Sequence, residues 1–256
     1  MARLYPDPDD MKRLQRLDIP GLMGMPEPYG AGQVAASAAL AEALDDIWSE
    51  DEGLYGFLRL MDAVFVMADF AHGMVARALD NSPAPLACKP GCNHCCRRDI
   101  ALLPTEAVYL ALSLADQARS VPEAKDGLCP FNDDEGRCGI HVWRPLACRL
   151  WTSRALAACM AVSGPQGYDP TRGEGVPSAP AFLLLHLSIV AAFEALMKKR
   201  GLASGRLSLR GGLAALAAAP DVAEGWLSGG AMAGLDAEGE TGGFVAKVQA
   251  AAFAQS

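Results

Sequence analysis

Apolar residues recur every three or four positions over three long segments, residues 36–49, 54–80 and 180–200. This spacing places them on one face of an α-helix, so the pattern predicts a helix over each segment. A fourth helix is predicted from Pro104, which is followed by Thr and Glu in a helix-start pattern, to about Arg119. The chain is therefore expected to be built mainly from helices.

Proline, glycine and short polar runs separate the helical segments. Residues 1–35 are rich in proline and glycine and predict an irregular N-terminal arm, and residues 162–180 predict a long loop. Two short apolar pieces flank the turn-rich run NDDEG, residues 132–136, which predicts a small β-hairpin. A helix is predicted over residues 148–161, and the Ala- and Gly-rich C-terminal part predicts two weak helices and a frayed tail.

The predicted fold is mainly α: a helical body, a small β-hairpin and a loop-rich module that contains the cysteines. All eight cysteines fall between Cys88 and Cys159, which marks this module off from the rest of the chain. The predicted organisation is an irregular arm over 1–35, N-terminal helices over 36–86, the cysteine module over 87–161, and a loop with C-terminal helices over 162–256.

Composition narrows the classes of partner. Of the 256 residues, 51% are hydrophobic, which is enough for a core that needs no metal or disulfide to hold it together. The formal net charge is −8 and no run of lysine and arginine stands out, so we expect no nucleic-acid partner.

The sequence also bears on membranes and compartment. The N-terminal residues contain neither the apolar stretch nor the small-residue cleavage site of a secretory signal. The most apolar window, residues 181–197, is short for a bilayer and contains His186, Ser188 and Glu194, so we predict a buried helix and no membrane partner. The expected compartment is the reducing cytoplasm, where cysteines bind metal or do redox chemistry more often than they form disulfides.

The spacing of the cysteines indicates a metal site. The first four follow the pattern Cys-x3-Cys-x2-Cys-Cys, and Pro90 and Gly91 allow the tight turn that the first interval needs. Thiolates favour zinc, iron–sulfur clusters or cuprous copper, and intervals of two or three residues let successive sulfurs converge on one tetrahedral centre. The candidate metal ligands are Cys88, Cys92, Cys95, Cys96, Cys129, Cys138, Cys148 and Cys159. The candidate cofactor is zinc or iron, the latter including a [4Fe–4S] cluster.

The division of these ligands among sites stays open. Adjacent Cys95 and Cys96 would point to opposite sides of an extended backbone, which suits two neighbouring metals, or one metal and one reactive thiol. Eight thiolates fill two tetrahedral sites, or one cluster with ligands to spare. Cys159 lies in a predicted helix, where a cysteine is often simply a small buried apolar residue.

Arginines accompany the cysteines. Six lie within six residues of a cysteine: Arg97, Arg98, Arg137, Arg144, Arg149 and Arg154. A set of thiolates is strongly negative, so we expect Arg144 and Arg149 to offset that charge or to donate hydrogen bonds to sulfur. We interpret Arg97 and Arg98 as solvated surface residues.

The four histidines are alternative ligands. His94 and His141 lie in the module, but with eight thiols present we interpret them as loop residues. His72 follows Asp69 by three positions on a predicted helix, which allows either a local pair that faces the metal or a simply exposed histidine. We interpret His186 as a core histidine with its hydrogen bonds satisfied.

The stretch CKPGCNHCC, followed by CPF, by CGIHVWRPLACR and by Cys159, resembles the zinc- or iron-chelating domain family, also called YkgJ-like or CxxCxxCC proteins. The resemblance covers residues 88 to about 160 and implies metal chelation. One branch of that family is similar to flagellin lysine methylases that use an iron–sulfur cluster and S-adenosylmethionine. This sequence has no separate methyl-donor motif that we identify, so that activity is not carried over.

Three functions remain open at this point. The first is a metal-binding protein that holds zinc or an iron centre. The second is an iron–sulfur-dependent modifying enzyme, for group transfer or redox chemistry, with S-adenosylmethionine as a candidate cosubstrate. The third is an interaction scaffold with a purely structural metal and an unidentified protein partner. The excess of ligands favours a role beyond a scaffold, because four thiolates are enough to hold a loop.

The first three cysteines also match the spacing of radical S-adenosylmethionine enzymes. Those enzymes usually have an aromatic residue before the third cysteine, where this chain has His94. They also need alternating strands and helices to build a barrel, whereas the residues after Cys96 are mostly helical and interrupted by proline. We therefore do not favour that function.

Overall fold

The structure is a computed structural model of the chain. The residues that it describes are 6–24, 30–51, 53–80, 86–89, 91–125, 127–162, 180–232, 234–235 and 242–253. The predicted loop over 162–180 and the end of the predicted C-terminal tail fall almost entirely outside these residues.

The described part of the chain is mainly helical, which confirms the predicted fold class. The helices are α1 Pro8–Gln15, α2 Ile19–Leu22, α3 Ala31–Glu50, α4 Leu54–Asp80, α5 Pro104–Asp116, α6 Leu146–Leu150, α7 Leu156–Val162, α8 Pro180–Lys199, α9 Gly212–Ala217, α10 Pro220–Leu227 and α11 Gly242–Phe253. Two short strands, β1 Ala101–Leu102 and β2 Leu207–Ser208, pair antiparallel.

The three long helices predicted from hydrophobic spacing correspond to α3, α4 and α8, and the helix predicted to start at Pro104 is α5. Helix α8 ends just before Gly201, which has a φ of +67°. Glycine adopts this left-handed conformation without the steric cost of a side chain, and it commonly ends a helix in this way.

The centre of the core lies where α3, α8 and α11 pack against one another, and α4 packs against α3. Residues 181–199 of α8 are long and apolar enough to cross a membrane, but 72% of their most apolar window is buried inside the protein. Phe182, Ile189 and Phe193 are fully buried there. The prediction of a buried helix in this segment is confirmed.

The N-terminal residues differ from the predicted irregular arm, because α1, α2 and the start of α3 lie within residues 1–35. Pro8 is in the first turn of α1, where proline loses no helical hydrogen bond, and the Asp7 carboxylate caps that helix by accepting from the Asp9 N–H. Asp10 then pairs with the buried side chain of Arg59 on α4, at 2.7 Å. Pro8 and Pro20, two of the prolines that suggested irregular backbone, therefore lie in the first turns of α1 and α2.

The predicted hairpin around residues 132–136 is present only in minimal form in the described structure. Only one isolated antiparallel bridge forms there, between Asn132 and Cys138. The chain after it folds into successive tight turns, in which the His141 N–H donates to the Cys138 carbonyl at 3.2 Å. A strand needs extended backbone, so the small sheet forms instead between β1 and β2.

Candidate metal centre

The first cysteine loop, which contains Cys88, Cys92, Cys95 and Cys96, is anchored between the end of α6 and the start of α7. The Ala87 N–H donates to the Ser153 carbonyl at 2.8 Å, and the Ser153 N–H donates to the Cys88 sulfur at 3.2 Å. These bonds use the backbone groups of Ser153 that a helix would need. They explain why the single helix predicted over 148–161 is interrupted between α6 and α7.

This loop turns tightly twice. Gly91 has a φ of +83°, and the Cys92 N–H donates to the Lys89 carbonyl at 3.0 Å, which forms the turn that the sequence predicts. Cys95 and Cys96 lie in a 3₁₀ turn, Cys95–Arg97, and the Cys96 thiol donates a hydrogen bond to the Cys95 sulfur. The expectation that the two point to opposite sides is wrong, because the backbone is not extended there.

The second cysteine loop, which contains Cys129 and Cys138, contacts the first at two points. The Cys129 N–H donates to the Cys96 carbonyl at 2.6 Å. Gly136, with a φ of +79°, lies so close that a Cβ added to it would stand 3.2 Å from the Gly91 oxygen. The backbone itself therefore holds the two loops together.

Glu106 connects the start of α5 to the start of α6. Its carboxylate accepts from the Leu103 N–H at 2.9 Å and from the Leu146 N–H at 2.6 Å, and its side chain is buried. This burial raises the pKa of Glu106. Because Leu146 begins the helix that contains Cys148, Glu106 sets the position of that cysteine.

Arg149 holds the backbone between Cys138 and Cys148. Its buried guanidinium donates to the Arg144 carbonyl at 2.8 Å, to the Val142 carbonyl and to the Asp69 carboxylate. It also lies 4.3 Å over the Phe65 ring of α4. In these contacts Arg149 attaches the module to α4, and its positive charge also opposes the rise in the pKa of Cys138, in line with the expected charge-offsetting role.

The thiols differ in their readiness to ionise. The hydrogen bond from Cys96 lowers the pKa of Cys95 to about 7, with the positive charge of Arg144 as a further contribution. Sharing that proton, together with burial, raises the pKa of Cys96. Burial raises the pKa of Cys129 and Cys138, and raises that of Cys148 most.

Cys95 is where the electrostatic interactions of the cysteines meet. A negative charge on Cys95 contributes to raising the pKa of five other thiols. It is a smaller cause than desolvation or, for Cys96, than the hydrogen bond. The five thiols are Cys88, Cys96, Cys129, Cys138 and Cys148. Cys92 and Cys159 act in the same way on Cys88, whose side chain is exposed although its sulfur is desolvated beside Ser153. Like charges interact in this way mainly at short range, so Cys95 lies near these five thiols, and Cys92 and Cys159 lie near Cys88.

Among the described side chains, no three histidine, cysteine, aspartate or glutamate residues already surround one metal position. The chemistry of the donor set nevertheless fits zinc or iron, since it offers soft sulfur ligands close together with Arg144 nearby to offset their charge. Binding a metal therefore requires some of these side chains to move.

Two of the four histidines, His72 and His186, make their contacts away from the cysteines. His72 stacks on the Phe182 ring at 4.8 Å between centroids, while Asp69 pairs with Arg149, so the suggested His72–Asp69 pair is replaced by other contacts. His186 is partly buried, and burial lowers its pKa to about 4, so it is neutral at pH 7.

A cavity of about 260 Å³ lies beside the module, between α4, α5 and the turns that precede α6. The Tyr109 hydroxyl donates to the Asp62 carboxylate at its wall, and His141 lines it as well. The cavity is lined by Pro6, Asp62, Phe65, Val66, Asp69, Tyr109, His141, Val142 and Arg149. It contains no cysteine in its lining, so it is a neighbour of the candidate metal centre and not part of it.

The structure adds Arg210 to the residues around the cysteines. Its guanidinium donates to the carbonyls of Arg97 at 2.8 Å and Gly127 at 2.6 Å, beside Cys96 and Cys129. No spacing pattern indicates this residue, because it lies far along the chain from the last cysteine. Glu106 is missed for a different reason, since its Pro-Thr-Glu context indicates only a helix start.

Comparison with known proteins bears on the same segment. The family model described as “Putative zinc- or iron-chelating domain” (CxxCxxCC) matches residues 87–163. No curated protein and no solved structure matches the chain significantly. The match covers all eight cysteines and leaves out Arg210.

Proposed function

Taking residues 87–163 as a zinc- or iron-chelating domain, we propose that the protein binds zinc or an iron-containing centre through the thiolates of its eight cysteines. The observation that carries this proposal is the contact between the cysteine loops, in which the Cys129 N–H donates to the Cys96 carbonyl at 2.6 Å. Bringing so many thiols together raises the cost of ionising each one, and a bound cation removes that cost.

The metal and its ligands are tested on protein purified without oxygen. A brown sample with broad visible absorption that dithionite bleaches identifies an iron–sulfur cluster, and a colourless sample with stoichiometric zinc identifies a zinc centre. We expect either an iron–sulfur cluster or a zinc centre, and elemental analysis identifies which metal is present. A fully reduced sample that contains neither metal, and takes up neither on reconstitution, contradicts the proposal.

Cysteine variants identify the ligands. Cys95→Ser is expected to lose most of the bound metal, because it removes the sulfur that interacts with five other thiols. Ala157→Ser, at an exposed position of α7, is the control, since it introduces a serine hydroxyl without removing a thiol. Wild-type metal content in Cys95→Ser would exclude Cys95 from the ligand set.

We also propose that the metal does more than hold the fold. What supports this is that the central core, where α3, α8 and α11 pack, contains no cysteine. Removing the metal with a chelator is expected to leave most of the helical far-UV circular dichroism in place. Loss of the helical signal together with the metal would instead support a purely structural role.

A second candidate function is a metal-dependent modifying enzyme, which the cavity beside the module favours. Its wall combines a carboxylate, a phenol, an imidazole and aromatic surface, the mixture that small-molecule sites use. An iron-loaded sample whose visible spectrum changes when S-adenosylmethionine is added would support this function, and an unchanged spectrum would count against it.

We place the protein in the cytoplasm, because eight unpaired thiols keep a metal only where they stay reduced. Fractionation of the cells that make the protein tests this placement. Recovery from an oxidising compartment, with the cysteines in disulfides, would contradict it.

A further inference from the structure

Arg210 contacts both cysteine loops at once. A single nitrogen of its guanidinium, Nη2, donates to the Arg97 carbonyl at 2.8 Å and to the Gly127 carbonyl at 2.6 Å, and it lies 3.4 Å from the Cys96 carbonyl. Arg97 follows the adjacent pair of cysteines, and Gly127 precedes Cys129 by two positions. The side chain therefore joins the two backbone segments that place these sulfurs.

The small sheet explains how a residue so distant in sequence reaches this place. Strand β2 pairs with β1, which follows the first cysteine loop directly, and the Leu209 N–H extends the pairing by donating to the Ile100 carbonyl at 2.8 Å. Asp99 then fixes the end of the ladder, because its carboxylate accepts from the Ser208 hydroxyl at 2.6 Å and from the Arg210 N–H at 3.2 Å. Arg210 is thus held beside the cysteines by backbone pairing and by a carboxylate.

The charge of this arginine also suits its position. The pKa of Cys129 is raised by burial, and the positive charge of Arg210 opposes that rise. The Nε of Arg210 is buried and has no acceptor among the described residues. This N–H is therefore available as a hydrogen-bond donor beside the cysteine loops.

We propose that Arg210 is a positioning residue of the metal centre, which holds the Cys95–Arg97 turn and the Gly127–Cys129 segment at the separation that lets their thiolates bind one centre. This inference rests on the proposed function, since it assumes that the cysteines bind metal. It extends the metal centre beyond residues 87–163 and makes metal binding depend on the pairing of β1 with β2.

Cobalt(II) is the probe for the test, because its thiolate charge-transfer absorption reports how many sulfurs bind the metal. Arg210→Gln is compared with the wild type and with Arg137→Gln. Arg137 lies inside the cysteine module and carries the same charge, but its side chain is exposed and contacts Asp133 and Glu135 of its own turn, so these contacts do not join the two cysteine loops. Affinity is measured by competition with a chelator, and the spectrum is recorded at saturating cobalt.

Arg210→Gln is expected to weaken cobalt binding about 10- to 100-fold, the effect typical of residues that orient metal ligands, and to lower the charge-transfer intensity at saturation. Arg137→Gln is expected to change affinity less than about 2-fold, because it leaves the ligand loops in place. The intensity at saturation is decisive, since a loss of overall stability changes the affinity and not the number of sulfurs on bound metal.

Two further variants keep the inference open to refutation if Arg210→Gln does not fold. Arg210→Lys keeps the charge but lacks the planar set of donors, and Asp99→Asn weakens the contact that orients Arg210. Both are expected to reduce cobalt affinity and charge-transfer intensity by less than Arg210→Gln. Wild-type affinity and spectrum in the folded Arg210 variants overturn the inference alone. A wild-type protein that binds neither cobalt nor zinc overturns the proposed function, and this inference with it.

Discussion

The backbone N–H of Cys129 donates a 2.6 Å hydrogen bond to the carbonyl oxygen of Cys96. This bond joins the second cysteine loop to the adjacent pair of cysteines in the first. It places two candidate ligands from distant parts of the module side by side before any metal is bound. Because the backbone already joins these two segments, metal binding does not have to order them relative to each other.

Metal affinity is expected to fall as the pH is lowered from 8 to 6. The pKa values of Cys88, Cys129, Cys138 and Cys148 are raised, so these thiols are protonated in the metal-free protein and must lose protons to bind. Each proton released makes the apparent affinity fall about ten-fold per pH unit. Zinc titrations at several pH values, with proton release followed by an indicator dye, measure this slope. Affinity independent of pH would show that the bound ligands are not these thiols.

Cys95 is expected to be the most readily alkylated cysteine in reduced, metal-free protein at pH 7. Its pKa of about 7 leaves roughly half of it as thiolate, whereas the pKa of Cys148 is raised by burial and leaves almost none. Limited iodoacetamide labelling followed by peptide mass spectrometry ranks the sites. Cys96→Ala removes the hydrogen bond that lowers the pKa and should slow labelling of Cys95, and zinc should protect it. Equal labelling of Cys95 and Cys148 would contradict this expectation.

Glu106→Ala is expected to destabilise the fold by about 3 kcal/mol, because two buried N–H groups, of Leu103 and Leu146, lose their acceptor. Urea unfolding of the metal-free protein measures the change in the free energy of unfolding. Glu123→Ala, at an exposed position after α5, is the matched control and should change that free energy by less than about 0.5 kcal/mol. Equal effects of the two substitutions would show that Glu106 does not connect α5 to α6.

Gly136→Ala is expected to cost about 1 kcal/mol of stability and to weaken metal binding. Its φ of +79° disfavours a side chain, and the new Cβ would stand 3.2 Å from the Gly91 oxygen, which pushes the two cysteine loops apart. Gly225→Ala on α10 is the control, because its Cβ meets no atom within 4 Å and alanine favours a helix. Thermal unfolding and zinc competition test both. A neutral result for Gly136→Ala would show that the loops adjust without cost.

Local sequence signals predicted the helical body well, and they did so for physical reasons that can be traced. The hydrophobic spacing of α4 and α8 reports which face is buried, and Gly201 supplies the left-handed residue after α8. The same signals were ambiguous for proline. Pro8 starts α1 where an irregular arm is predicted, and the difference depends on Asp10 meeting Arg59 on another helix.

By itself, the sequence determined where the cysteines cluster and predicted which metals they would favour, because the spacing of thiols and the softness of sulfur are local properties of the chain. Tertiary structure alone decided which backbone segments hold those thiols together. Arg210, Glu106 and the Cys96–Cys129 hydrogen bond act between residues far apart in sequence, so no periodicity or spacing reports them. Such contacts form only when β1 meets β2 and α5 meets α6, since the free energy that orders them comes from packing of the whole fold.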